Sequence, residues 1–168
     1  MSTGQPVDAV GLLPSKYDRL VVIFRDARRE DVPAIVALLA DDEFGAEREA
    51  AVLDEAYQVA FEQIQSDPRS RLVVAETSGQ VAGTLQLSLL PGLSRHGMLR
   101  AQIEGVRVAA PHRGRGLGQA MIEWAIEQAR EHGCGLVQLT SDKRRHGAIR
   151  FYESLGFTAS HEGLKLPL

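Results

Sequence analysis

The 168-residue chain has a single cysteine, Cys134, so no disulfide can form within it. Cys134 precedes Gly135 and a β-rich stretch, a helix-to-strand turn where a thiol is expected to pack rather than react. No serine or cysteine is placed to form a covalent intermediate. No run of about 18 apolar residues occurs, so no membrane-spanning helix is expected. No basic segment followed by an apolar core opens the chain; no secretory signal is read, and the cytoplasm is the expected location. Basic residues number 19 and acidic residues 22, a net charge of −3. That balance argues against a general nucleic-acid binder. His96, His112, His146 and His161 stand singly, with no H-x-x-x-H or C-x-x-C spacing, so no metal site is expected. There is no internal repeat and no low-complexity tract.

What is present is an ordinary folded composition, 44% hydrophobic and 24% charged, at a length that suits one domain with a proper core. Residues 1–17 hold Gly4, Pro6, Gly11 and Pro14 and read as a flexible tail or loosely packed arm. The domain is expected over 18–168. Leu20 to Phe24 opens the first strand, which extends to about Ala27. Asp31 fits an N-cap for a helix whose Val32, Ile35, Val36 and Leu39 recur at helical spacing, with Pro33 in its first turn. Asp41, Asp42 and Glu43 end that helix. A second helix is expected from about Glu47 to Gln65, with Val52, Ala56, Val59, Ala60 and Ile64 on one side. A hairpin turns at Ser78–Gln80, and Gly83 in its return strand suggests a bulge or a close approach. Met98 to Val108 is read as a long central strand. His132–Gly133 stops the following helix. Leu136 to Thr140 is a strand, Ala148 to Leu155 a helix closed by Gly156, and Phe157–Ala159 and Gly163–Pro167 the last strands.

The densest signal lies at 106–125. Val106 and Val108 alternate with Arg107, which suits a strand, and Pro111 ends it. Gly114, Gly116 and Gly118 strip the backbone of side chains. A helix follows, with Leu117, Met121, Trp124, Ala125 and Gln128 on one stripe. Its first N–H groups lack partners and carry the positive end of the dipole, which makes a phosphate site. Arg113 and Arg115 add charge beside it. The spacing is neither G-x-G-x-x-G nor G-x-x-x-x-G-K-[ST].

Arg113-x-x-Gly116-x-Gly118 after a V-x-V strand resembles the pyrophosphate motif of the GNAT superfamily of acyl-coenzyme A-dependent N-acetyltransferases. The block Ala148-Ile-Arg-Phe-Tyr152-Glu-Ser-Leu-Gly156-Phe157 is similar to that family's A-x-x-F-Y-x-x-x-G-F. Arg25-Asp-Ala-x-x-x-Asp31-Val-Pro-Ala-Ile resembles its opening strand and helix. The resemblance implies one mixed α/β (α+β) domain, with a central, mostly antiparallel twisted sheet of about seven strands flanked by about four helices. The phosphate strand and the Leu136–Thr140 strand would splay to admit the cofactor. Acetyl-coenzyme A is the implied co-substrate and a primary amine, with a small molecule favoured, the implied acceptor; homodimers are common in the family. The implied cofactor set is the backbone of Val106, Arg107 and Val108, pairing with the pantetheine arm like an added strand, and the turn Arg113, Gly114, Arg115, Gly116, Leu117, Gly118 and Gln119. Asp41, Asp42 and Glu43 would either meet the amine or form a solvated helix end.

Acetyl transfer also needs proton handling. Period-2 alternation puts Gln102, Glu104, Val106 and Val108 on one face. A carboxylate among apolar strand neighbours is costly unless it faces a cleft or is paired. Glu104 is therefore the candidate base, helped by partial desolvation and acting directly or through water. It equally fits a group that only binds the substrate ammonium or pairs with an arginine. Tyr152 is the candidate acid, because a phenol keeps its proton at neutral pH; the alternative is a core tyrosine. Arg145 stands where many relatives carry asparagine. Lys143, Arg144 and Arg145 either touch the adenosine 3′-phosphate or form a solvated basic loop, and His146 is a secondary acid–base candidate. Two rival functions remain open: a non-catalytic acyl-coenzyme A sensing module, and an acetyltransferase for protein lysines or N-termini.

Overall fold

The computed structural model describes residues 9–13, 20–41 and 54–168. The chain divides after Gln138 into two compact units. The architecture is mixed α/β. Strands β1 (Ala9–Leu13), β2 (Leu20–Asp26), β3 (Ser70–Thr77), β4 (Gln80–Leu90), β5 (Arg100–Val108) and β6 (Leu136–Leu139) lie side by side in that order. The first five pair antiparallel. β6 is added parallel to β5: Gly135 N–H donates to Leu99 O at 2.9 Å, and the Gln138 amide reaches Gln102 at 2.7 Å, so both strands advance together. β5, expected as a central strand, is therefore second from one edge of the sheet among the described residues.

Helices cover both faces of the sheet. On one lies α4 (Leu117–Glu131), with Leu117, Met121, Ile122, Ala125 and Ala129 buried. These positions share one stripe at helical spacing, and each large apolar side chain buried there contributes roughly 1.5–3 kcal/mol. The Phe24 ring stacks on Trp124 at 5.8 Å. Gly83 marks the close approach: a Cβ there would sit 2.7 Å from Met121 Sδ and 3.0 Å from Arg107 O. On the opposite face, α1 (Val32–Ala40) and α2 (Glu55–Ser66) form a core of Val32, Ile35, Val36 and Phe61 with Ala27 and Val74.

Several local expectations change. Ala9–Leu13, within the stretch read as a tail, pairs as a strand with Leu20–Phe24. Asp31 does not cap α1 with its side chain. Its carboxylate instead accepts from Arg28 N–H at 2.7 Å and takes both ends of the Arg25 guanidinium at 2.6 and 3.0 Å. The buried Arg25 guanidinium, further bonded to Glu76 at 2.8 Å, outcompetes the helix amides for that carboxylate. Among the described residues the second helix begins at Glu55, capped by Asp54 accepting from Ala56 N–H at 2.8 Å; Val52 lies outside them. Val59 is 47% exposed, whereas Phe61 is buried and Tyr57 packs beside it. The larger aromatic surfaces decide which face of α2 turns inward. In the second unit only α5 (His146–Ser154) is regular, and residues 157–168 form no strand. Leu164, Leu166 and Leu168 are exposed: alternation alone does not make a strand without a neighbour to satisfy its backbone.

Candidate active site

The site is built where β5 ends. A 3₁₀ turn at Ala110–His112 follows the strand, held by His112 N–H to Ala109 O and Arg113 N–H to Ala110 O. The chain then reverses through Gly114 and Gly116, both left-handed with φ of 70° and 86°. Only glycine adopts that conformation without strain. No atom lies within 4 Å of where a Cβ would stand at either position, so the turn is open on that side. Gly116 is the N-cap of α4 and has no side chain to cap it. The first helical bond runs from Ala120 N–H to Gly116 O at 3.0 Å, ahead of which the amides of Leu117, Gly118 and Gln119 belong to the unpaired first turn. The Gln119 side chain turns away to Glu123 at 2.8 Å. An open cradle of unpaired amides at the positive end of a 15-residue helix fits a diphosphate.

The two arginines of this turn differ. Arg113 is spent on protein acceptors: Nε donates to Val108 O at 2.8 Å, and Nη2 donates to Asp41 O at 2.9 Å and Asp41 Oδ2 at 2.7 Å. Arg115 is exposed and makes no hydrogen bond or ion pair among the described residues. Asp41, expected either to meet an amine or to be solvated, meets Arg113; Asp42 and Glu43 lie outside the described residues. No local pattern announces a partner 72 residues away.

β5 carries a bulge. Glu104 pairs with Gln86 and Arg107 with Thr84, three steps along β5 against two along β4. Gly105, at φ of 60°, supplies the extra residue. The expected face of Gln102, Glu104, Val106 and Val108 is therefore split. Cross-strand partners share a face, so Glu104 lies with Gln86, Thr84 and Arg107, while Val108 lies opposite Gly83 against α4. Glu104 is exposed and forms no ion pair among the described residues. Ala109 N–H reaches Ala82 O at 2.8 Å, so by alternation the Val108 backbone groups point to the edge away from β4. Arginine side chains already take two carbonyls of this stretch: Arg107 Nη1 reaches Val106 O at 2.9 Å, and Arg113 reaches Val108 O.

Tyr152 belongs to the second unit. Its ring packs between Phe151 and Phe157, with centroids 5.2 and 5.9 Å away. Its carbonyl accepts from Phe157 N–H at 3.1 Å, and Gly156 N–H donates to Glu153 O at 3.0 Å. This is a Schellman helix end with its usual apolar contact, and Gly156 takes the required left-handed φ of 91°. The F-Y-x-x-x-G-F block thus has a structural cause besides any catalytic one. In the basic run, Lys143 is ion-paired to Glu162, and Arg144 to Asp142 at 2.8 Å. Cys134 ends α4 in the same kind of cap, donating to Ala129 O at 2.9 Å. Burial pushes its thiol up from the ordinary value, which leaves it a poor nucleophile.

Among the described residues no cluster of His, Cys, Asp or Glu suits a metal, and no helix is long and apolar enough to cross a membrane. Comparison with known proteins matches residues 32–157 to the acetyltransferase (GNAT) family. The aminoalkylphosphonate N-acetyltransferase of Salmonella typhimurium is 30% identical over 82% of this chain and 85% of its own length. A Bacillus halodurans C-125 crystal structure, described as a transcriptional regulator, superposes with a TM-score of 0.85 at 46% identity, covering 88% of this chain and 99% of that one. A putative acetyltransferase from Agrobacterium tumefaciens gives a TM-score of 0.77 at 28% identity, covering 86% and 99%.

Proposed function

Since the chain belongs to the acetyltransferase (GNAT) family of acyltransferases, whose co-substrate is acetyl-coenzyme A, we propose that it acetylates the primary amine of a small molecule, by direct attack with donor and acceptor bound together. The observation that carries this reading is the open turn before α4, with unpaired amides at Leu117–Gln119 and the unpaired Arg115 beside them. Acetyl-coenzyme A supplies the thioester, already activated for attack. The turn holds its diphosphate. The outward edge of Val106–Val108 aligns its pantetheine arm, through the amides that the two arginines leave open. Glu104 takes a proton from the substrate ammonium, directly or through water, and the Tyr152 phenol returns one to the departing sulfur. The Salmonella relative, named for aminoalkylphosphonates, supports a small acceptor. We extend the reading to the cytoplasm, where a lone thiol stays reduced, and to a homodimer, common in the family; light scattering tests the latter.

A thiol-release screen over aminoalkylphosphonates, amino acids, aminoglycosides, polyamines and peptides tests the proposal. Wild type releases free coenzyme A with some amine. Tyr152→Phe lowers kcat about a hundredfold, the usual worth of a positioned acid. Glu104→Gln lowers kcat if the carboxylate is the base, and raises KM for the amine with kcat kept if it is only an anchor. The Bacillus halodurans protein, described as a regulator, favours a second reading, acyl-coenzyme A sensing. Tight binding without turnover over the whole panel would select it, and turnover of peptides alone would select protein acetylation.

A further inference from the structure

We propose that Asp41 and Arg113 are a positioning pair for the cofactor turn, and that Arg115, not Arg113, brings charge to the diphosphate. The inference rests on the reading of that turn as the acetyl-coenzyme A site. Arg113 is the residue the motif singles out for phosphate. Yet its guanidinium is committed to three oxygens on two elements, the end of β5 and the end of α1. The Asp41 carboxylate lies 2.7 Å from Arg113 Nη2, so a phosphate would have to compete with it for that donor. Arg115, two residues on, has no partner among the described residues to give up.

The turn needs such a tie. Gly114 and Gly116 are its most pliable points, and nothing packs against them. Before Gly114 the backbone is held by the His112 and Arg113 amides; beyond it the glycines leave the turn free to sample other shapes. The planar Arg113 fork, fixed at one end to Val108 O and at the other to Asp41, sets the direction in which the chain enters the turn. An exposed pair, 48% and 54% accessible at its two side chains, contributes little to global stability. Its effect is therefore read in cofactor affinity.

The test is calorimetric titration of the full-length protein with acetyl-coenzyme A, together with steady-state kinetics. Asp41→Asn and Arg113→Ala each weaken binding about two- to fivefold, the scale of an exposed pair. The double variant is no weaker than Arg113→Ala alone. Arg113→Lys does not rescue, because an ammonium cannot span the three acceptors. In kinetics the acetyl-coenzyme A KM rises while kcat holds, a split that general destabilisation would not produce. Arg115→Ala weakens binding about tenfold, and Arg115→Lys retains most of the affinity. Glu127→Gln, which removes an acid from the exposed Glu127–Arg130 pair on α4, leaves the Kd unchanged. If Asp41→Asn leaves affinity unchanged or tightens it while Arg113→Ala costs tenfold, Arg113 is the phosphate ligand and the pair is overturned, with the cofactor site intact. If wild type does not bind acetyl-coenzyme A, both readings fall together.

Discussion

The turn before α4 and the end of α5 are both glycine-punctuated helix boundaries, and they use the same backbone conformation for opposite ends. At the end of α5, Gly156 turns left-handed and every local donor is consumed: Gly156 and Phe157 donate back into the last turn, and the Phe157 ring closes on Tyr152. At the start of α4, Gly114 and Gly116 turn the same way, with the same open space where a Cβ would stand as at Gly156, but no side chain caps the helix and the amides of Leu117, Gly118 and Gln119 precede its first bond. One boundary is closed and structural. The other is left open, and an open set of amides at a helix start attracts an anion. A glycine at positive φ therefore announces only a reversal; where the neighbouring amides go decides whether it serves fold or ligand.

The comparison can be sharpened first against a buried, fully closed polar site. Asp31→Asn leaves Arg25 short of a charge partner in the interior and is expected to lower unfolding free energy by about 3 kcal/mol, read by urea denaturation, with acetyl-coenzyme A affinity of the folded protein unchanged. Burial pushes the Asp31 carboxyl upward, but the Arg25 hydrogen bonds and charge and the Arg28 amide outweigh it and hold the group below its ordinary value. The stabilisation is therefore present above roughly pH 3.9 and is lost as pH falls through the lower folded-state value. The stability gap between wild type and Asp31→Asn narrows accordingly in acid.

At the open boundary, Gly116→Val should cost about tenfold in acetyl-coenzyme A affinity, the scale of 1–2 kcal/mol of left-handed strain. Melting temperature should change little, because the amides of that turn, unlike those of Gly156 and Phe157, hold no protein acceptor among the described residues that a new shape would lose. The closed boundary gives the smallest effect. Gly156→Ala should lower stability by about 1 kcal/mol and leave the acetyl-coenzyme A Kd as it was. Equal affinity losses in the two glycine variants would break the contrast between them.

Much of this was legible in the residues. The helix stops at Gly133 and Gly156, the hairpin at Ser78–Gln80, the close approach at Gly83 and the glycine turn before α4 all follow from local conformational rules that act within a few residues. The misreadings share another origin. Spacing sets Val59 on one side of α2 with Ala56, Ala60 and Ile64, but it is the Tyr57–Phe61 face that has more apolar surface to bury. Asp31 has the chemistry of a cap, but a buried arginine six residues earlier claims it. Glu104 was assigned neighbours by strict alternation, which the extra residue at Gly105 interrupts.

Backbone reversals and the uncapped start of α4 were determined by the chain alone, because glycine placement and helix geometry act between near neighbours. The folded molecule decided which charges meet. Arg113 and Arg115 are indistinguishable as letters beside a glycine loop, yet one is bound by Asp41 from the far end of α1 and the other has no partner among the described residues. Such choices depend on which segments the sheet and its helices bring within about 3 Å of each other, the reach of a hydrogen bond, and no local pattern encodes that.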